Sequence, residues 1–283
     1  MVTLTDVLEV NWIILYFVYG QVFFITGLVT GLQWRRGSDL ELARPLPWLA
    51  AFGIAHGLNE WGYIFIPLQS VYLQEQVVHL MLVAHILLLA TSFFFLLQFG
   101  VELVLPLDAR FHWLRAVPAA VLLLWGVALI VRGSSAQDPI ATLFAIGDGW
   151  SRYFLAFPGA LLAAVGLWNQ ARKARGRNLG RIAHYLTGAA AAFAVYALVG
   201  GLMVPVSPIF PANVLNYELL DRVLHLPAAV LRSACGLCMA FCVVRSLEIF
   251  QIETERRLAE MEQAQILMAD RERIGRDKRR PAL

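Results

Sequence analysis

Seven apolar runs, each near the roughly 20 residues that a helix needs to cross a bilayer core, constrain this chain more than any other feature. They are Trp12 to Leu32, Trp48 to Ile66, Val77 to Phe99, Ala116 to Val131, Tyr153 to Trp168, Ile182 to Val204 and Val223 to Val244. Pro67 closes the second and Pro205 the sixth, and Gly149, Trp150 and Ser151 open the fifth. Soluble domains carry about 25% charged residues, whereas this 283-residue chain carries 15% and is 59% hydrophobic. The expected fold class is all-α: a polytopic membrane protein with seven transmembrane helices within residues 1–244. No basic n-region or small-residue cleavage site precedes the first run, so it reads as a retained span and not as a signal peptide.

Arginine placement orients the spans, because cytoplasmic loops carry the excess of Lys and Arg. Arg35, Arg36 and Arg44 follow the first run, Arg110 and Arg115 the third, and Arg172, Lys173, Arg175, Arg177 and Arg181 the fifth. The alternate loops hold Arg132 and Arg222, both at helix ends. Seven spans with the odd loops inside predict an external N-terminus and a cytoplasmic segment from Arg245 onward. Of the outer loops, Gly133 to Asp148 is long and nearly uncharged. Pro205 to Asp221 contains Pro205, Pro208, Pro211, Phe210 and Tyr217. A cap over a cavity and a plain connection both fit these two loops.

From Arg245 to Asp277 the chain is charged and proline-free, with its only glycine at Gly275. Leu247, Phe250, Leu258, Met261 and Met268 approximate a 3-4 seam, interrupted by Thr254, Arg257 and Gln265. The pattern predicts a helix that continues the seventh span and pairs with a second copy as a parallel coiled coil. A solitary solvated helix is the alternative. Cys235, Cys238 and Cys242 fall at i, i+3 and i+7 of the seventh run. They read as small packing residues, since a metal site would need a further ligand and thiolates in lipid.

Ionisable side chains inside lipid are costly and mark candidate sites. His56, Asn59 and Glu60 share a face of the second span. His79 and His85 lie on the third, Arg152 at the outer end of the fifth, and His225 and Arg232 on the seventh. At 1.5 Å per residue, His56, His85 and Arg232 fall near one level, with Glu60 roughly 6 Å further out. Glu60 is the expected counter-charge of Arg232. The pair could be structural glue, or the floor of an outward-opening ligand pocket walled by Arg152, His79 and His225. No cofactor is expected. A b-type haem would need two axial histidines at one depth, and His56 with His85, or His79 with His225, meet that condition.

Other classes lack their residues. A Schiff-base retinal protein needs a lysine on a late span, and the lysines here are Lys173 and Lys278. There is no phosphate loop, zinc-protease helix or nucleophile elbow. Matching halves with broken helices, the mark of many transporters, are not seen, and Gly200 and Gly201 in an Ala-rich sixth span suggest close packing and not a pore. Nothing marks a nucleic-acid partner.

The string Asp270-Arg271-Glu272-Arg273-Ile274-Gly275-Arg276-Asp277 resembles the start of the phosphoacceptor box of the nitrate-sensor-like family of bacterial sensor histidine kinases, E-R-x-R-I-A-R-[DE]-L-H-D. The layout is similar too: a multi-span input region, then a helical linker entered through Arg245-Ser246-Leu247-Glu248-Ile249-Phe250, then the box. The resemblance implies the sensing half of a two-component receptor in the bacterial inner membrane. Residues 1–244 would be the sensor, 245–277 the signalling helix, and a response regulator would be reached only through a kinase domain. Lys278 and Arg279 stand where the family has leucine and the phosphorylated histidine, so this chain is expected to lack kinase activity, with residues 278–283 a truncation remnant. The expected partners are the bilayer, a second copy and a small ligand. A haem-carrying redox or gas sensor, an electron-transfer protein, and a membrane enzyme or transporter using the same polar cluster are the alternatives.

Overall fold

A computed structural model describes residues 10–35, 44–105, 109–135, 139–207 and 210–277. The fold is helical, and no strand occurs among the described residues. Helix α1 spans Trp12–Arg35, α2 Leu46–Gln69 and α3 Glu75–Val104. A 3-10 turn over Ala109–Ala116 leads into α4, Val117–Ser134. Helix α5, Pro139–Ser151, passes through a π turn at Arg152–Ala156 into α6, Phe157–Gly176. Helix α7, Gly180–Tyr196, ends in a second π turn at Ala197–Leu202. A short α8, Tyr217–Leu224, precedes α9, which runs 50 residues from Ala228 to Asp277.

Among the described residues six helices are long and apolar enough to cross a membrane: Trp12–Arg35, Glu75–Val104, Phe111–Ser134, Thr142–Gly176, Gly180–Leu202 and Ala228–Leu247. That is the make of a multi-pass helical membrane protein. Helix α2 is as long as α1, at 24 residues, but His56, Asn59 and Glu60 make it more polar, and all three are buried inside the protein.

The helices α1, α2, α3, α6, α7 and α9 each pack on the next, and α9 returns to α1, so the six close into a ring. Helix α4 stands outside it, against α3 and α5. Small residues set the close approaches. A Cβ built on Gly53 would lie 2.7 Å from the Gly27 Cα, so α1 and α2 meet backbone to backbone. Ala160 and Ala163 on α6 and Ala189 on α7 are fully buried, which packs α6 and α7 tightly, as small residues do between membrane helices. The ring is filled by Tyr19, Phe23, Phe52, Phe93, Phe193 and Tyr196.

Proline chemistry accounts for the break between α5 and α6. Pro158 has no N–H for the carbonyl four residues back, and the Phe157 N–H reaches the Arg152 carbonyl, so the turn widens to i→i+5. Near the end of α7, the Met203 N–H likewise bonds the Leu198 carbonyl.

Several expected boundaries change. The outer segment from Gly133 to Asp148 is not a long loop, because Pro139–Ser151 is helical and extends the expected fifth span at its start. The seventh run also does not begin at Val223. Residues Tyr217–Leu224 form a separate helix, capped by the Asn216 side chain, which accepts from the Leu219 N–H at 3.0 Å. His225 adopts a left-handed conformation at its end (φ 52°), and α9 starts only after Pro227. Of the three cysteines, Cys235 and Cys242 are buried and Cys238 is exposed, and all are free thiols.

Candidate functional site

The polar residues of α2 turn inward because the ring offers them partners. His56 is fully buried. Its Nδ1 lies 3.2 Å from Ser92 Oγ on α3, and that hydroxyl donates its own hydrogen to the Leu89 carbonyl at 2.7 Å. Ser92 therefore accepts from His56, which assigns the ring proton to Nδ1. Nε2 is then an acceptor, facing the hydroxyls of Tyr19 on α1 at 3.1 Å and Tyr196 on α7 at 3.0 Å. Glu60 Oε1 stands 3.6 Å from the same nitrogen. Phe23, Phe52 and Phe93 wall the imidazole with ring centroids 4.9 to 5.3 Å away. Four helices thus meet on one histidine.

Next to it the polar bonds are loose. Glu60 is 1% exposed, yet among the described residues its carboxylate receives only a 3.5 Å bond from Asn59 Nδ2 besides the His56 contact. Asn59 is fully buried, and its Oδ1 has no partner among the described residues. Buried groups are nearly always satisfied, so this spot has capacity for another polar group. His85 is held apart from it: its Nε2 donates to the Asn59 backbone carbonyl at 2.8 Å, with the Tyr63 ring edge-on at 4.6 Å.

Two buried arginines flank the π turn that ends α7. Arg152, on the first π turn, donates from Nε to Asp148 Oδ1 and from Nη1 to the Gly200 carbonyl at 2.9 Å. Its guanidinium sits 5.4 Å from the Phe93 ring centre. Arg232, in the second turn of α9, donates from Nε to the Val199 carbonyl at 2.9 Å. Its Nη2 serves the Met203 carbonyl at 3.0 Å and the Tyr217 hydroxyl at 2.8 Å. The last carbonyls of any helix lack intrahelical donors, and here the widened end of α7 gives Val199, Gly200 and Met203 to two guanidinium groups. Arg152 and Arg232 thus clasp one π turn from two neighbouring helices.

This geometry corrects the expected pairing. Arg232 bonds two backbone carbonyls and the Tyr217 hydroxyl and makes no ion pair with Glu60, and it lies near the start of α9 and not at its middle. Asp148, expected at the outer surface, is buried at 6% exposure and is the partner of Arg152. His79 is half exposed and pairs with Glu75 at 3.7 Å, away from the cluster, and His225 is exposed. For the two histidine pairs considered for haem, His56 has both ring nitrogens engaged within the protein and His85 its Nε2, the usual role of a membrane histidine.

Tyr19, Ser92 and Tyr196 were not singled out by sequence reasoning, and Tyr217 was noted only as an aromatic of a loop that fits a cap over a cavity. Hydroxyls scattered through apolar runs carry no pattern until the helices bring them together. The Asp148–Arg152 pair was missed because Asp148 was read as part of a loop; with Pro139–Ser151 helical, the i,i+4 spacing brings the two together. Of the expected seam, Leu247 is taken up by the ring itself at 9% exposure, whereas Leu258, Met261 and Met268 are exposed. The Phe250 side chain and residues Lys278 to Leu283 lie outside the described residues. Comparison with family models, with curated proteins and with solved structures returns no match for this chain.

Proposed function

We propose that this chain is the membrane-embedded input module of a signalling receptor, with the buried polar cluster as its sensing site and α9 as its output rod. On this reading α2 crosses the membrane with the six apolar helices, giving seven spans, an external N-terminus and a cytoplasmic α9. The arginine distribution supports that orientation. The observation that carries the proposal is the tie between site and rod: Arg232 joins α9 to the same π turn that Arg152 holds. Helix α9 then continues to Asp277 without interruption, about 75 Å at 1.5 Å per residue. A small polar ligand reaching Asn59 and Glu60 would repack the His56 hydroxyl network and, through Phe93 and Arg152, the π turn that anchors the rod.

A rod signals only if its displacement changes an interface, so the reading requires a parallel dimer through Leu258, Met261 and Met268. The likeness of Asp270 to Asp277 to a phosphoacceptor box supports a histidine-kinase output in a bacterial membrane. Cysteine crosslinking at Leu258 and Met261, in native membranes and with Cys235, Cys238 and Cys242 replaced by alanine, tests it. Crosslinked dimers at both positions are expected. A folded protein that crosslinks at neither position defeats the output mechanism.

A further inference from the structure

At the basic end of the bundle, away from the polar cluster, lies a cavity of about 740 Å³. Four cationic side chains from three separate stretches of chain converge on it: Arg44 before α2, Arg115 before α4, and Arg172 and Lys173 near the end of α6. Among the described lining residues the one acidic group is Glu102, in the last turn of α3, so the lining carries a net charge of +3. Its carboxylate is 3.0 Å from Arg115 Nε and 3.7 Å from Arg44 Nε, and its side chain is 8% exposed. Glu102 thus fixes two arginines on the wall and leaves the cavity strongly positive. Asn169 and Gln170 add neutral amides, and the end of α3, Leu103 to Leu105, supplies an apolar strip.

Loop arginines that only orient a membrane protein need no common focus, since the orienting rule counts charges wherever they fall near a span. These four share one concavity, and like charges brought together call for a counter-anion. Guanidinium groups match phosphate oxygens in a planar, bidentate way, and basic pockets at the ends of membrane helices suit phospholipid head groups. We infer that this cavity is a phosphate-binding site. The apolar strip beside the charges, with Val104 38% exposed, favours the head group of an anionic phospholipid over a free phosphate ester. The inference does not depend on the sensing role of the polar cluster, nor on which side of the membrane this end faces.

The test uses the purified chain in neutral detergent, with native mass spectrometry for bound lipid and thermal melting for stability. Phosphatidylglycerol, phosphatidylcholine and inorganic phosphate are the three probes. The wild type is expected to retain phosphatidylglycerol over phosphatidylcholine. Removing charge with Arg172→Gln and Lys173→Gln should weaken that retention about fivefold per charge, with retention compared at equal folded fraction as set by melting in lipid-free detergent. Glu102→Gln should strengthen it, an inversion of sign that a non-specific basic surface would show far less. Stabilisation by inorganic phosphate alone, lost in the Arg172 and Lys173 variant, supports the site with a soluble phosphate as its ligand. Equal retention of both lipids by wild type and variant, with no effect of phosphate, overturns the inference.

Discussion

Replacing Arg232 with methionine keeps most of its volume and removes the fork that joins α9 to α7. The substitution strips donors from the Val199 carbonyl, the Met203 carbonyl and the Tyr217 hydroxyl. An orphaned buried polar group costs roughly 1–3 kcal/mol. Met203 and Tyr217 are only partly buried and can turn to water, whereas Val199 lies in the core at 8% exposure. Relief from burying the guanidinium offsets part of the loss. The net expected destabilisation is about 2 kcal/mol, a fall in melting temperature of roughly 4–8 °C for a chain of this size. Arg232→Lys should recover little of it, because one ammonium on a flexible stem cannot span three acceptors in fixed directions. A cycle with Tyr217→Phe should give a coupling of about 0.5–3 kcal/mol, and the cycle with Glu60→Gln a smaller one, since only Tyr217 touches the guanidinium. The assay is thermal unfolding of the purified variants in detergent, with helix content checked first. Melting of Arg232→Met within about 2 °C of wild type, or full rescue by lysine, refutes the claim that the fork holds the rod.

Two further outcomes check the fold and its orientation. Gly27→Leu should destabilise by at least 1–3 kcal/mol, because a Cβ there would come within 2.5 Å of the Ile54 backbone nitrogen. Gly126→Ala, on the lipid side of α4 with nothing within 4 Å of the new Cβ, should be neutral or stabilise by about 0.5–1 kcal/mol; equal losses at both sites in a melting assay would contradict the α1–α2 contact. In a background with Cys235, Cys238 and Cys242 replaced, cysteine at the exposed Val71 should react with an impermeant maleimide in intact cells, and cysteine at the exposed Arg177 only after permeabilisation. The reverse pattern would invert the orientation and move α9 outside.

Apolar runs and their helical class were readable from residue order because lipid-facing helices carry their signal locally. Phe111–Ser134 shows it best: it stands outside the ring, few of its residues are buried, and hydropathy finds it at once. The polar site was half legible. His56, Asn59 and Glu60 stand out as charges or amides in an apolar run, and all three are in the cluster. Their partners were not legible, because Tyr19, Ser92 and Tyr196 lie 37, 36 and 140 residues from His56 and only ring closure brings them to one point. The Glu60–Arg232 pairing failed for a definite reason. Counting rise per residue assumed that α9 began at Val223, but α8 and the left-handed His225 take up that stretch. Arg232 is displaced by about a turn towards the start of its helix, where backbone carbonyls satisfy it instead of a carboxylate. Opposite charge is not the only partner a buried arginine accepts.

The energies at the π turn bear on how a signal could leave the cluster. Driving a two-state element from 1:99 to 99:1 needs about 5.5 kcal/mol of differential binding. The Arg232 contacts account for about 2 kcal/mol on the reasoning above, so releasing Arg232 alone moves the rod only part of the way. The remainder has to come from the second clasp, where Arg152 holds the neighbouring Gly200 carbonyl and is itself held by Asp148. Both arginines act on consecutive residues of one turn, so a stimulus that loosens one lowers the cost of loosening the other. Full switching on the proposed reading therefore requires both, and single variants at Arg152 or Arg232 should give intermediate dimer crosslinking at Met261 while the double variant gives more than their sum. Crosslinking yields that add independently would show that the π turn is a passive joint and that the signal, if one passes, travels through the packed faces of α7 and α9.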